Sequence, residues 1–130
     1  NNAVYGMTGG QMAPTTLLGQ KTSTSPYGRR PEVEGYPLRI TDIIATLPGA
    51  AYVTRTSLAT PAKIRETKKA IKKGFEVQMA GIGYSLVEVL SPCPTNWKLS
   101  PRDSFTYLAE RMEKEYPIGV MKDVTTKKEG

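Results

Sequence analysis

The sequence contains no histidine and a single cysteine among its 130 residues. It therefore cannot form an internal disulfide, a zinc site with several Cys or His ligands, or a Ser-His-Asp or Cys-His catalytic set. No apolar run approaches the roughly 20 residues that a membrane-spanning helix needs, and no signal-peptide pattern is visible. Any catalysis must use carboxylates, a cofactor or another chain. A lone cysteine also fits a reducing cytoplasm, so we expect a cytoplasmic location and no membrane contact.

Basic residues outnumber acidic ones, 18 to 12, which gives a formal net charge of +6. They concentrate between positions 63 and 73, in a segment that we predict to be helical, and recur at Lys127 and Lys128. Such a run is most often a solvated helix face, and the alternative is a docking surface for an acidic protein. No aromatic residues interleave with these lysines, so we expect no nucleic-acid partner.

The first 37 residues are rich in Gly, Pro, Ser and Thr, a composition that predicts irregular backbone. A segment of this length without regular structure is uncommon in a compact domain unless it is functional or disordered. It carries Tyr5, Tyr27 and Tyr36 and little charge, whereas disordered segments usually have few aromatic residues. We therefore predict an ordered, functional loop. Because the chain opens on a strand-like run without an initiator Met, we also interpret it as part of a longer protein.

Downstream of this loop, strands alternate with helices, a pattern typical of an α/β fold with a mostly parallel sheet flanked by helices. The longest helix has a clear start, with Thr60 as its cap, and its predicted core face contains Ile64, Thr67, Ile71, Phe75 and Gln78. The predicted elements are a helix over 40–47 capped by Thr41, a strand over 51–54, a helix over 61–80, a strand over 85–90 and a helix over about 101–115 capped by Ser100.

The run from Asn1 to Gln11 carries the first candidate site. It reads as a strand end that passes into a glycine-containing turn, and ligands of open parallel sheets lie beyond such strand ends. Gly9 and Gly10 allow backbone N–H groups to approach a phosphate. The Asn2 side chain and a backbone carbonyl two residues later offer neutral oxygens to Mg²⁺. From the residues alone, a glycine turn without any ligand explains the run equally well.

The run Ser91-Pro92-Cys93-Pro94-Thr95-Asn96-Trp97 carries the second candidate site. It directly follows the predicted strand over 85–90, so the cysteine lies at the same edge of the sheet as the first run. From the residues alone, a buried and inert cysteine is the more common explanation. The alternative is a metal or cluster ligand.

Both runs resemble the β subunits of 2-oxoacid:ferredoxin oxidoreductases. Asn-Asn-Ala-Val-Tyr-Gly-Met-Thr-Gly-Gly-Gln is similar to the second half of their thiamine diphosphate motif, and Pro-Cys-Pro is similar to the site of a cluster cysteine. The resemblance implies that residues 1–124 are the C-terminal half of a thiamine-diphosphate-binding domain and that 125–130 form a polar tail. The Gly-Asp-Gly that opens the family motif, and whose Asp would be a charged Mg²⁺ ligand, is absent from this sequence.

The resemblance also implies roles for individual residues. Mg²⁺ would be bound by the Asn2 side chain and the Val4 carbonyl, and Cys93 would bind a [4Fe–4S] cluster together with cysteines outside this chain. A later loop similar to that of members acting on branched-chain 2-oxoacids or 2-oxoglutarate places Thr22 and Arg29 near substrate or coenzyme A, with a polar loop held by subunit contacts as the alternative. The residues expected along thiamine diphosphate are Asn2, Val4, Tyr5, Thr8, Gly9, Gly10 and Gln11.

The function implied is oxidative decarboxylation of a 2-oxoacid to an acyl-coenzyme A, with ferredoxin reduced through iron–sulfur clusters and the thiamine cofactor performing the chemistry. We expect this chain alone to be inactive and to work with other subunits of the enzyme. Two alternatives are a non-catalytic basic α/β interaction module and a thiamine diphosphate enzyme that does not use ferredoxin. The segment around Cys93 disfavours the second, because such an enzyme needs no cluster cysteine.

Overall fold

The computed structural model describes residues 1–126, so the last four residues of the predicted polar tail lie outside the described part of the chain. Its elements are five strands and six helices: β1 (Val4–Tyr5), β2 (Gln11–Met12), α1 (Pro31–Glu34), α2 (Ile40–Ala45), β3 (Ala50–Ser57), α3 (Pro61–Met79), β4 (Tyr84–Leu90), α4 (Pro94–Trp97), α5 (Pro101–Tyr107), α6 (Glu113–Glu115) and β5 (Gly119–Asp123). A 3₁₀ turn, Gly6–Thr8, follows β1, and a π-helical turn, Leu108–Met112, joins α5 to α6.

The main sheet has three strands in the order β4-β3-β5, and its central strand β3 is buried along its whole length. β3 and β4 run parallel and are joined by α3, whereas β5 is antiparallel to β3. The α/β class is thus confirmed, with a mixed sheet that has one parallel and one antiparallel pair. Within residues 1–126, no helix has the length and apolar content needed to cross a membrane.

β3 is longer than the strand predicted over 51–54, since it continues to Ser57. The sequence pattern does not predict this extension, because the second half of β3, Thr54-Arg55-Thr56-Ser57, is polar throughout. These side chains are nevertheless buried, and their polar atoms find partners within the protein. The Thr54 hydroxyl donates to the Gly119 carbonyl (2.9 Å), and the Arg55 guanidinium forms ion pairs.

α3 starts as predicted, because the Thr60 hydroxyl accepts a hydrogen bond from the Lys63 N–H and Pro61 occupies the first helical position. The predicted core face is wrong for most of its members. Ile64, Ile71, Phe75 and Gln78 are exposed, and only Thr67 of that group is buried. Small side chains instead let the helix lie close to the sheet, where the buried positions are Thr67, Ala70, Gly74 and Val77.

The helix predicted over 40–47 is α2, but Thr41 does not cap it. The helix begins at Ile40, and Thr41 lies inside it as a buried residue whose hydroxyl donates to the Glu88 carboxylate. The long helix predicted near the end of the described chain is confirmed as a continuous helical segment from Pro101 to Glu115, and the Ser100 hydroxyl accepts from the Asp103 N–H (3.1 Å) as a cap.

An apolar cluster connects the first 37 residues to the remainder of the protein. Ala3 and Leu17 from this region pack with Leu108, Met112 and Tyr116 from the C-terminal helical segment, together with Leu90 at the end of β4. The Tyr116 hydroxyl also donates to the Thr15 carbonyl (2.6 Å). These contacts fit the predicted ordered loop, because a disordered segment would not contribute fully buried side chains.

Candidate functional site

The two runs singled out in the sequence meet at the carboxyl end of β4. The backbone nitrogen of Asn1 donates to the Val89 carbonyl (2.7 Å), and the Ser91 N–H donates to the Asn1 carbonyl (2.9 Å). The chain then turns through Asn2 and Ala3 into the hairpin formed by β1 and β2. The first run therefore begins beside the strand end from which the second run leaves.

Gly6 is the point on which side chains from both runs converge. A Cβ atom added at Gly6 would lie 3.3 Å from each of three atoms: Asn2 Nδ2, Cys93 Sγ and Asn96 Nδ2. The Asn96 amide also donates to the Gly6 carbonyl (3.2 Å) and to Cys93 Sγ (3.2 Å). Asn2 and Cys93, predicted from separate motifs, thus border one small space that a side chain at Gly6 would crowd.

The turn between β1 and β2 depends on its glycines. Gly9 and Gly10 have φ angles of 119° and 74°, which favour glycine, and the Gly10 N–H donates to the Tyr5 carbonyl (2.9 Å). A Cβ atom at Gly10 would approach Asn96 Oδ1 to 2.5 Å. The exposed end of the turn is tied by Thr8 and Gln11, whose side chains lie 2.8 Å apart at their oxygens. The predicted phosphate-facing residues therefore occupy one compact turn.

Asn2 is held on both sides by hydrogen bonds. Its carbonyl accepts from the Trp97 indole Nε1 (2.9 Å). The next residue, Ala3, is fully buried and has a φ of 58°, in the left-handed region that non-glycine residues adopt only at a cost. The Ala3 N–H donates to Asn1 Oδ1 (3.0 Å), and its carbonyl accepts from the Thr16 hydroxyl (2.6 Å). These hydrogen bonds fix the backbone on both sides of Asn2, and therefore the direction in which its side chain leaves the backbone.

The described residues alone do not provide a complete metal or cluster site. Across positions 1–126, no group of three or more His, Cys, Asp or Glu side chains could hold one ion. Asn2 and the Val4 carbonyl supply neutral oxygens, whereas Mg²⁺ in proteins is usually bound through at least one carboxylate. Cys93 is one thiol, and a [4Fe–4S] cluster takes four ligands. The donors that are present fit a part of each site, with further ligands required from outside the described residues.

A cleft of about 680 Å³ opens beside the glycine turn. Thr22 lies in its wall, with its hydroxyl 2.7 Å from that of Ser25. The wall also includes Trp97 and Tyr107, whose rings contact each other with centroids 4.8 Å apart, and Lys98, which adopts a left-handed conformation with a φ of 55°. The volume is that of a small-ligand site, and its basic lining favours an anionic ligand. The cationic residues along the cleft are Lys21, Lys98 and Arg111.

Arg29, predicted near substrate or coenzyme A, is instead buried within the loop of residues 1–37. Its Nε donates to the Gly35 carbonyl (2.8 Å), and its two terminal nitrogens donate to further backbone carbonyls. Every N–H of the guanidinium is directed at the protein, which leaves no donor for a ligand. Arg29 therefore holds the loop through contacts within this chain. The carbonyl partners of the terminal nitrogens are those of Ala13, Pro14, Thr16, Glu34 and Tyr36.

A buried ionic network lies directly behind the Asn1 end of the site and was not predicted. Glu88, on β4, accepts hydrogen bonds from the Arg55 Nε (2.7 Å), the Asn1 Nδ2 (2.7 Å) and the Thr41 hydroxyl. Burial opposes ionisation of Glu88, but the hydrogen bonds from Thr41, Arg55 and Asn1 outweigh it and hold the pKa of Glu88 below its usual value. The sequence signal was a single carboxylate inside a strand that is nearly all apolar.

Asn96 is a second residue that the sequence did not single out, although it follows Cys93 by three positions. Residues at this spacing lie on the same side of a helical turn, and α4 begins directly after the cysteine. The Asn96 amide therefore reaches back to the sulfur while it packs on Gly10. A polar residue three positions after a candidate ligand was the available signal.

Comparison with known proteins finds relatives for most of the chain. It is 50% identical over 123 residues to the ketoisovalerate oxidoreductase subunit VorA of Methanothermobacter thermautotrophicus, covering 95% of this chain and 26% of that subunit. It is 45% identical over 114 residues to the 2-oxoglutarate synthase subunit KorB of Archaeoglobus fulgidus, covering 88% of this chain and 38% of that subunit.

A more distant relative is the 2-oxoacid:ferredoxin oxidoreductase subunit beta of Saccharolobus solfataricus, with 34% identity over 95 residues, 73% of this chain and 27% of that subunit. The chain thus spans between about a quarter and two fifths of the length of these curated relatives. No protein-family profile matches the sequence, and no solved structure matches it.

Proposed function

We propose that this chain, which is homologous to a segment of 2-oxoacid oxidoreductase subunits, forms part of the thiamine diphosphate site of such an enzyme. The reaction would be oxidative decarboxylation of a 2-oxoacid to an acyl-coenzyme A, with electrons passed to ferredoxin. The higher identity to the ketoisovalerate subunit favours a branched-chain 2-oxoacid, and 2-oxoglutarate is the second choice. Residues 1–124 would be the part of the cofactor domain that this chain contributes.

The observation that carries this proposal is the convergence of Asn2 and Cys93 on Gly6. Asn2, through its side chain, and Val4, through its carbonyl, would bind Mg²⁺, with the anionic ligand supplied from outside the described residues. The turn bearing Gly9 and Gly10 would lie along the diphosphate, where backbone N–H groups and small side chains allow close approach. Other residues of the same turn would complete the contact: Tyr5, Thr8 and Gln11. When bound, the thiamine group supplies carbanion chemistry that no side chain in this sequence provides.

Cys93 would be one ligand of an iron–sulfur cluster whose other ligands lie outside this chain. The Asn96 amide donates a hydrogen bond to the Cys93 sulfur, and this supports the role. Proteins use hydrogen bonds to ligand sulfurs to adjust the reduction potential of a cluster. Asn2 and Cys93 border the same space at Gly6, so the residues that would hold the cofactor and the cluster are neighbours. When bound, the two groups would supply the electron-transfer chemistry. A ligand role would also explain why Cys93 lies at the sheet edge instead of in the apolar core.

The cleft beside the glycine turn would admit the anionic substrates. Thr22 remains a candidate contact, and Lys21, Lys98 and Arg111 supply positive charge along the walls. A 2-oxoacid and coenzyme A are both anions, so either gains from this charge. Arg29 takes no part in this proposal. The partners of the chain would be the other subunits of the oxidoreductase and ferredoxin.

The test is a calorimetric titration with thiamine diphosphate and Mg²⁺, performed on the purified chain and on the assembled oxidoreductase that carries it. We expect tight binding only in the assembled enzyme, because this chain lacks the charged metal ligand. Asn2→Ala should weaken Mg²⁺ binding there by at least about tenfold. Gln78→Ala, which removes an exposed amide on α3, is the matched control and should bind as the unmodified enzyme does. An assembled, folded enzyme that binds no thiamine diphosphate would overturn the cofactor assignment.

One observation favours a second function, that of an interaction module. The outer face of α3 exposes Ile71, Phe75 and Met79 beside a row of lysines, a composition suited to an acidic protein partner. If this were the whole function, partner binding would be independent of thiamine diphosphate, and Asn2→Ala would be without effect. Ferredoxin reduction by the assembled enzyme separates the two: its loss in Asn2→Ala supports the thiamine diphosphate site, and no effect supports the interaction module.

A further inference from the structure

Asn1 is connected to both the sheet and the loop by its side chain. Its Nδ2 donates to Glu88 Oε1 on β4 (2.7 Å). Its Oδ1 accepts from the Ala3 N–H (3.0 Å) and from the Thr15 hydroxyl (2.9 Å). The Asn1 side-chain amide therefore connects a buried residue of β4 to the turn that carries Asn2. Its nitrogen and its oxygen are both hydrogen-bonded.

The Glu88 carboxylate that accepts from this amide is itself held in place by other hydrogen bonds. Its other carboxylate oxygen accepts from the Arg55 Nε (2.7 Å) and the Thr41 hydroxyl. Arg55 is itself fixed, because its remaining nitrogens donate to the Pro117 carbonyl (3.0 Å) and to Asp42 (2.6 Å). A hydrogen-bonded network of this kind, buried at Arg55 and Glu88, specifies one arrangement and resists displacement.

The turn that Asn1 holds is one that would not persist without support. Ala3 has the left-handed φ of 58° and yet is not glycine, so its neighbours must over-determine its conformation. Two hydrogen bonds do so, one from its N–H to Asn1 Oδ1 and one to its carbonyl from Thr16. Because Asn2 lies between Asn1 and Ala3, the same bonds fix the direction in which its side chain leaves the backbone.

We propose that Glu88 is a positioning residue that acts through Asn1: it holds the left-handed turn at Ala3 and thereby aims the Asn2 side chain. That the aimed side chain binds Mg²⁺ with thiamine diphosphate rests on the function proposed above. An ion pair that served the sheet alone would need only Arg55 and Thr41. The third hydrogen bond, to Asn1, connects the network to the loop and carries the inference.

Asn1 donates and Glu88 accepts in the hydrogen bond that joins them, so two substitutions can exchange the donor and the acceptor. In Glu88→Gln, the amide oxygen is retained by Arg55 and Thr41, so the new NH₂ group faces the NH₂ group of Asn1. In Asn1→Asp, two carboxylates face each other instead. Either single change breaks the contact or releases the Ala3 N–H. Combining the two restores a donor opposite an acceptor, and the introduced carboxylate can still accept from Ala3 and Thr15.

The first readout is amide hydrogen exchange at Ala3 in the full chain, which needs no ligand. We expect exchange to accelerate by about tenfold or more in each single variant and to return to within about threefold of the unmodified chain in the double variant. Asp123→Asn, which removes the carboxylate partner of Lys73 on β5, is the control and should leave Ala3 exchange unchanged. Unchanged exchange in the single variants, or no recovery in the double variant, would overturn the proposal.

The second readout is Mg²⁺ affinity in the assembled oxidoreductase in the presence of thiamine diphosphate. Loss of an outer partner of a metal ligand typically lowers affinity by about 10- to 100-fold, and we expect that loss in each single variant with recovery in the double variant. If the single variants only destabilised the protein, exchanging the donor and the acceptor in the double variant would not restore Mg²⁺ affinity. Altered Ala3 exchange with unaltered Mg²⁺ affinity would refute the positioning role. If the unmodified enzyme bound no cofactor, the function proposed above would fail, while exchange would still decide whether Glu88 holds the turn.

Discussion

The loop of residues 1–37 and the β3–α3–β4 unit are both ordered, but different interactions hold them. The unit is built from paired strands and a helix, so its backbone hydrogen bonds are local and regular. The loop has two two-residue strands and the single-turn helix α1, and side chains such as Thr16 and Arg29 donate to its backbone carbonyls. A region held by side chains can take the irregular path that a binding site needs, but each of those side chains becomes hard to replace.

The largest effect is expected from Arg29→Met, which removes every hydrogen bond that the guanidinium makes to the loop. Several buried carbonyls would lose their partners at once, so we expect destabilisation of about 5 kcal/mol or failure to fold, measured by chemical denaturation. Arg29→Lys should recover little, since an ammonium group cannot reproduce the planar fork. The adjacent and exposed Arg30 is the matched control, and Arg30→Met should change stability by less than about 0.5 kcal/mol. Equal effects at the two arginines would contradict the conclusion that buried side-chain hydrogen bonds hold the loop.

Within the unit, Arg55 departs most clearly from this regular bonding, because its side chain is fully buried and paired with Glu88. Arg55→Met would leave that carboxylate buried without its cation, so we expect a loss of about 3–4 kcal/mol in the free energy of unfolding. Arg39, which forms an exposed ion pair with Glu115 at 3.3 Å, provides the matched comparison. Arg39→Met should cost no more than about 1 kcal/mol, as surface pairs do. A small effect at Arg55 would mean that the network does not stabilise the sheet.

The network also predicts how stability depends on pH. The pKa of Glu88 in the folded protein lies below its ordinary value of 4.5, because hydrogen bonds from Thr41, Arg55 and Asn1 outweigh the opposing effect of burial. Its contribution to stability is therefore fully present above pH 4.5 and is lost as the pH falls through the lowered pKa. We expect the free energy of unfolding to decrease below that pH, and Glu88→Gln to flatten the decrease. A variant with the same acid dependence as the unmodified chain would assign the effect to other carboxylates.

Sequence reasoning succeeded where the signal was local. The start of α3 at Thr60 and Pro61 and the strand β4 follow from caps and from a short apolar run. The ionic network could not be predicted in the same way, because it joins Glu88 to residues 33 and 87 positions away. The two runs around Asn2 and Cys93 were found by resemblance, while their meeting at Gly6 is a product of the fold. Sequence periodicity also favoured the wrong face of α3, because it weighs large apolar residues above small ones.

That error at α3 leads to the smallest predicted effect. Val77 is 3% exposed and packs on the sheet, whereas Phe75, two positions earlier, is 67% exposed. Val77→Ala should lower the free energy of unfolding by about 1–2 kcal/mol, because it removes buried methyl groups and leaves a cavity. Phe75→Ala removes a larger side chain but little buried area, so the loss should stay below about 0.5 kcal/mol. Denaturant unfolding of both variants at low protein concentration measures the difference. A greater loss for Phe75→Ala would show that the outer face of α3 is covered in solution, since only burial makes an aromatic side chain stabilising.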